Sequence, residues 1–234
     1  MLLEGKTVVV VGGSSGIGLA TAELAKSEGA SVTIASRPGE RLRSAAARLG
    51  VRGMEADVTS DASVEQLFQA CGRVDHVVVT AAPTYAGMIK KLSIADAKSF
   101  VEAKFWGACR VARSADITPG GSLTLVSGFF SIRPRIGAAI AGATNGAIEA
   151  LTRSLAVELA PVRVNAVSPG VVDTPIRAAM PEEARRAMLE QAAAALPVRR
   201  VGTAEDIARQ ILAFMVIGFA TGSIVYLDGG GSIA

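Results

Sequence analysis

Three glycines, at 12, 16 and 18, punctuate the run Gly12-Gly13-Ser14-Ser15-Gly16-Ile17-Gly18, between an apolar stretch, Thr7 to Val11, and a helix-like stretch, Leu19 to Ala25. Glycine lets the backbone turn sharply and come close to another group. Free amides at a helix start, with the helix dipole behind them, favour an anion. A buried strand, a tight turn and a helix in that order read as a cradle for phosphate, with Ser14, Ser15 and Ile17 among the turn residues that supply it. The spacing of three residues and then one departs from the commoner dinucleotide fingerprint. Taken alone, the run also fits an ordinary glycine-rich turn.

Other reactive residue types are sparse. His76 is the sole histidine and opens the apolar run Val77-Val78-Val79, which gives it a structural reading and excludes a histidine-rich metal site. Cys71 and Cys109 lack metal-type spacing and read as buried free thiols.

The elements that must hold the cradle follow from periodicity. Strand-like segments fall near 7–11, 31–35, 51–55, 75–80, 121–126, 162–167 and 223–227, with helical segments between them. The clearest helical stripe is Ile148, Leu151, Leu155 and Leu159. Such alternation predicts an α/β fold: a Rossmann-type, doubly wound, seven-stranded parallel sheet with helices on both faces. No repeat or linker divides the chain, so residues 1–234 read as a single domain. Residues 173–200, rich in Ala, Arg, Glu and Met and bounded by Pro175, Pro181 and Pro197, break the rhythm. They read as an excursion over the ligand end of the sheet, either a substrate lid or a plain pair of surface helices.

Composition narrows the class further. The 234 residues suit one sizeable core, and a net charge of +3 with scattered arginines argues against nucleic-acid binding. No apolar run is long enough to cross a bilayer. Met1 to Lys6 lack the regions of a secretory signal, so a cytoplasmic protein with no membrane partner is expected.

With Gly12 to Gly18, Ala56-Asp57-Val58, Leu125-Val126-Ser127, the segment from Asn145-Gly146-Ala147 to Ala160, Arg163 to Gly170, Thr174 and Leu227 to Gly230, the chain resembles the short-chain dehydrogenase/reductase family nearly end to end. The resemblance implies that Asp57 and Val58 contact an adenine and that Ala81, in the strand-four motif, borders the cofactor. It implies also that Pro169, Gly170, Val172 and Thr174 hold a nicotinamide carboxamide. Asp57 could alternatively cap the following helix, but Ser60 and Asp61 occupy those positions. At the end of the second strand, an acidic residue would favour NAD(H) by binding the ribose hydroxyls. This chain has Ser36-Arg37, a hydroxyl and a guanidinium suited to a 2′-phosphate, which favours NADP(H).

The proton-transfer set departs from the family. The resemblance implies a serine, at Ser127, that polarises the carbonyl, a tyrosine that passes the proton, a lysine four residues later, and an asparagine on the preceding long helix. Here the tyrosine position is Ala141, the lysine position Asn145 and the asparagine position Lys104. The strand-four motif, usually Asn-Asn-Ala-Gly, is Thr80-Ala81-Ala82-Pro83. Alanine has no proton to give, and an asparagine amide holds a ribose hydroxyl without acidifying a phenol. Lys104 restores a cation to the pocket. Desolvated against a ring such as Trp106, it reads as a general acid beside Ser127, or otherwise as a surface lysine. Tyr226 reads as core, and Tyr85 as a loop phenol bordering the nicotinamide end.

Three functions fit these residues. They are an NADP(H)-dependent oxidoreductase acting on a carbonyl or alcohol, a nucleotide-binding sensor or partner subunit without turnover, and a non-redox isomerase or lyase with Lys104 as base. The substrate pocket is expected from 83–92, 128–140 and 173–196, with Arg133, Arg135 and Arg177 nearby. The resemblance implies a homo-dimer or homo-tetramer, with the small-residue face from Gly137 to Ala143 available for close packing.

Overall fold

The computed structural model describes residues 1–81, 87–175, 178 and 180–234. The expectations for Ala82, Pro83, Tyr85 and Arg177 therefore lie outside the described residues. Seven parallel strands form one sheet: β1 (Thr7–Val11), β2 (Ser31–Ser36), β3 (Arg52–Glu55), β4 (Val74–Val79), β5 (Ile117–Val126), β6 (Arg163–Pro169) and β7 (Ile224–Leu227). Their order is β3-β2-β1-β4-β5-β6-β7. β5 starts ahead of the expected residue 121 because Ile117 pairs with Val74 before a register shift, and the ladder runs regularly only from Ser122.

β1 shows why a central strand is an unbroken apolar run and not an alternating one. Val9 and Val11 pack with Leu67 of α3 (Asp61–Cys71), Val111 of α5 (Gly107–Ser114) and Ile148 of α6 (Ala139–Glu158). Val8 and Val10 turn the other way, onto Ala22 of α1 (Gly16–Ser27), Leu42 of α2 (Glu40–Leu49) and Ile207 of α8 (Ala204–Val216). A parallel sheet sheathed on both faces needs apolar side chains at every strand position.

Two departures from regularity bear on function. Between α4 (Ile94–Val101) and α5 the helix passes through a π turn, Glu102–Trp106, which carries Lys104. An inserted π turn re-aims the side chains it carries and is common at functional sites. The second departure is the excursion after β6, which is pinned at its base. Val172 bridges Gly202, and Gly202 N donates to Val171 O at 2.9 Å. Within it, α7 (Glu182–Ala195) has no fully buried residue and is tied back by Arg185 to Asp173 at 2.9 Å.

Three side-chain expectations are corrected. Trp106 is 51% exposed, so it is not the ring that desolvates Lys104. Cys71 and Cys109 are half-buried, not buried, and partial burial pushes both thiols up. Tyr226 is half-buried, because β7 is the edge strand and its phenol reaches sideways to α6.

His76 sits inside the sheet, 5% exposed, with Nδ1 2.9 Å from Ser122 Oγ on β5. Burial pushes it down to about 4, because the charged ring loses its water. A histidine held neutral in the fold binds its proton more readily when unfolded, so its stabilising contribution is present above about pH 6.5 and is lost as pH falls toward 4. The loss amounts to about 3 kcal/mol. Urea unfolding of His76→Gln at pH 7 and pH 5 should show less acid destabilisation than the parent; equal losses would mean that other groups govern this range.

Candidate active site

The site grows from the place where strand order reverses, between β1 and β4, at the carboxyl ends of the strands. There the chain leaves β1 through Gly12, at φ +90°, and Gly16, at φ +54°, into α1. A Cβ on Gly12 would lie 2.5 Å from Thr80 Oγ1 and 2.6 Å from Ala81 N, and one on Gly18 would lie 2.3 Å from Gly12 O. The turn, the helix start and the end of β4 are thus in backbone contact, and Thr80 Oγ1 donates to the carbonyls of Val11 and Gly12, both at 3.2 Å. Ser15 caps α1 with no side-chain bond to its first amides. Ser14, Ser15 and Ile17 flank these amides, and free amides at a helix start favour an anion. A dinucleotide fits such a cradle because only glycine leaves room for the backbone to close on it.

Thr174 lies above the cradle, its Cβ 3.5 Å from where a Cβ on Gly16 would stand. The segment that delivers it is anchored by Gly170 N donating to Leu227 O at 2.9 Å, and a Cβ on Gly170 would strike Asp228 Cα at 2.6 Å. Pro169 ends β6, and Val172 is buried. At the other wing, Arg37 is exposed beyond β2, and Ser36 Oγ donates to its carbonyl at 3.2 Å. Asp57 Oδ1 accepts from Thr59 N at 2.9 Å and Thr59 Oγ1 at 2.8 Å, which with the nearby Arg37 charge holds its carboxyl low. Ser60, not Asp57, caps α3. Val58 is buried against Gly107, where a Cβ would be 3.0 Å away.

Lys104, Ser127 and Asn145 meet where β5 and α6 converge. Lys104 Nζ donates to Asn145 Oδ1 at 2.6 Å and to Ser127 O at 2.9 Å. The swapped lysine and asparagine therefore touch. Asn145 is 3% exposed and packs over Gly128, where a Cβ would be 2.7 Å from its Nδ2. Loss of hydration pushes the Lys104 ammonium down to about 8, opposed by the charge of Glu149. Ala141 is buried on the same helix.

Sequence reasoning missed Glu149. It is 5% exposed, and Oε1 accepts from Ser127 Oγ at 3.0 Å and Ser131 Oγ at 2.6 Å, while Oε2 accepts from Tyr226 OH at 2.8 Å. Ser127 Oγ also lies 3.1 Å from Asn145 O. Burial and the Glu149 carboxylate push the Tyr226 phenol up, which makes it a poor stand-in for the absent tyrosine. The available signal was helical spacing: Asn145, Ile148, Glu149 and Thr152 share one face, so a carboxylate stands on an inward stripe.

A family model described as enoyl-(acyl carrier protein) reductase matches residues 11–232. Short-chain dehydrogenase/reductase ATR9 of Stachybotrys chlorohalonatus (strain IBT 40285) is 32% identical, over 97% of each chain. The chain belongs to the short-chain dehydrogenase/reductase family. The 3-oxoacyl-(acyl-carrier-protein) reductase FabG of Aquifex aeolicus (strain VF5) is 28% identical, over 97% of this chain and 98% of its own. A solved structure, described as a small-chain dehydrogenase in complex with NADPH, is 34% identical and superposes with a TM-score of 0.86, covering 98% of this chain and 99% of its own.

Gly18→Ala should lower stability by about 1–3 kcal/mol, because its methyl has no room against Gly12 O. A urea midpoint equal to that of the parent would show that the cradle relaxes.

Proposed function

We propose that the protein is a cytoplasmic NADP(H)-dependent oxidoreductase that interconverts a carbonyl and an alcohol, with Lys104 in the role of the absent tyrosine. The observation that carries this reading is the exchanged pair, Lys104 Nζ 2.6 Å from Asn145 Oδ1, which keeps a cation in the pocket although the family's lysine position is vacant of one. A dinucleotide would be held by Gly12, Ser14, Ser15, Gly16, Ile17 and Gly18 at its phosphates, with Ser36 and Arg37 at a 2′-phosphate. Asp57, Val58 and Ala81 would serve the adenosine side, and Asn145, Pro169, Gly170, Val172 and Thr174 the nicotinamide side. The NADPH complex of the solved relative supports the choice of cofactor. When bound, the nicotinamide supplies or takes a hydride, while the protein handles the proton.

Lys104 spends two of its three N–H bonds on Ser127 O and Asn145 Oδ1, leaving one for a substrate oxygen. Near pH 7 it is chiefly an ammonium and donates a proton to a carbonyl oxygen as that oxygen gains negative charge. In the opposite direction its neutral form takes the proton of the alcohol. Ser127 anchors the substrate oxygen once its hydroxyl turns from Glu149. The single domain of residues 1–234 would use 173–200 as its lid. In a homo-dimer or homo-tetramer, the small residues of 137–143 would pack against a second copy. Among the described residues no helix is long and apolar enough to cross a membrane.

Lys104→Met should reduce NADPH-dependent carbonyl reduction by about 10²- to 10⁴-fold while leaving the NADPH Kd within about twofold. Undiminished turnover would remove Lys104 from the mechanism. Reduction should fall as pH rises through about 8, where the ammonium is lost, and alcohol oxidation should rise over the same range. Arg37→Glu should weaken NADPH by about 10- to 100-fold and NADH far less, as read by nicotinamide fluorescence. A chain that binds NADPH but reduces no member of a carbonyl panel would be a nucleotide-binding or non-redox protein.

A further inference from the structure

Glu149 has no task in the mechanism above, yet it is the most completely engaged carboxylate in the site. A buried charge is costly unless it is paired and hydrogen-bonded, and an apolar residue at this position of α6 would pack at lower cost. The contacts of Glu149 are directional. Ser131 Oγ at 2.6 Å and Tyr226 OH at 2.8 Å hold the carboxylate from the loop after β5 and from β7. Its free side faces the proposed acid through two residues: Glu149 Oε1 meets Ser127 Oγ, Ser127 Oγ and its carbonyl meet Asn145 O and Lys104 Nζ respectively, and Asn145 Oδ1 meets Lys104 Nζ. Among the described ion pairs none joins Lys104 to Glu149 directly, so the two charges act across this bridge.

We propose that Glu149 is a positioning residue for Lys104: clamped by Ser131 and Tyr226, its carboxylate supplies the counter-charge that keeps Lys104 an ammonium in a desolvated pocket, and it turns the Ser127 hydroxyl inward. The second effect follows from hydrogen counting. A carboxylate only accepts, so the single hydroxyl hydrogen of Ser127 points to Glu149 or to Asn145 O and not outward. Lys104 is therefore the donor that meets a substrate oxygen before the Ser127 hydroxyl is drawn from Glu149 to anchor it. The proposal rests on the reading of Lys104 as the acid.

The charged and titratable surroundings of Glu149 are few. Lys104 faces it from the π turn and Tyr226 from β7, while Arg153, one turn along α6, places its guanidinium 3.4 Å from the Glu149 carbonyl oxygen. Ser127 and Ser131, beyond β5, are neutral. Among the described residues, Glu149 is the charge that favours the protonated form of Lys104.

The test reads Lys104 directly, without cofactor or substrate, in protein labelled with [ε-13C]lysine. Its resonance is assigned from the peak lost in Lys104→Met and followed from pH 6 to 11. Glu149→Gln should lower the Lys104 midpoint by about one pH unit, a tenfold change in the proton equilibrium. Tyr226→Phe, which loosens the clamp but keeps the charge, should move it much less. Equal shifts in the two variants, or no shift in Glu149→Gln, would overturn the proposal. If Glu149→Gln does not fold, Glu149→Asp serves in its place, with a smaller shift of the same sign expected and an unchanged midpoint again overturning it. A second arm follows NADPH-dependent carbonyl reduction against pH: its alkaline limb should move to lower pH together with the midpoint in Glu149→Gln, and a limb that stays put while the resonance moves would overturn the catalytic part of the proposal. A parent protein that binds NADPH and reduces nothing would overturn the proposed reaction, whereas the resonance alone decides the coupling of Glu149 to Lys104.

Discussion

Backbone contact between Gly18 and Gly12 is the constraint on which the rest of the molecule depends. A Cβ on Gly18 would sit 2.3 Å from the Gly12 carbonyl oxygen, so α1 can begin directly over the end of β1 only because nothing projects from that position. The closeness places the start of α1 at the reversal of strand order, against Thr80 on β4. It also lets Thr174 descend onto Gly16. Move α1 outward by the width of a methyl group and the glycine turn opens, and the segment after β6 loses the surface it rests on.

The second organising feature is electrostatic. The pocket between β5 and α6 holds one cation and one anion, both largely stripped of water, with Ser127 and Asn145 between them. A buried charge is costly unless it is paired and hydrogen-bonded, and Glu149 is held by Ser127, Ser131 and Tyr226. The π turn has the matching duty on the opposite side, presenting Lys104 toward Asn145 while the adjacent Trp106 faces solvent.

The fold was legible because its signals are local. Strand periodicity, the glycine turn and the end-to-end family resemblance each belong to short segments, and the seven strands fall where the apolar runs fall, save for the irregular start of β5. The nearness of residues 104 and 145 was legible as well, because both positions stand in recognisable motifs. What the sequence hid was long-range. Tyr226 read as core because nothing near it in the chain reveals that β7 is an edge strand, from which a phenol can reach residue 149. Trp106 lies two residues from Lys104, but the π turn sends the two side chains to different environments, a deviation that helical periodicity does not foresee.

The contact between Lys104 and Asn145 also couples the two positions under substitution. Asn145→Lys alone would set two ammonium groups where a 2.6 Å hydrogen bond now stands, in a pocket with one carboxylate to answer them. Lys104→Asn alone would leave Glu149 buried with no cation opposite. Each single change thus leaves the pocket with an unbalanced charge, whereas exchanging the two side chains together keeps one cation beside one carboxylate.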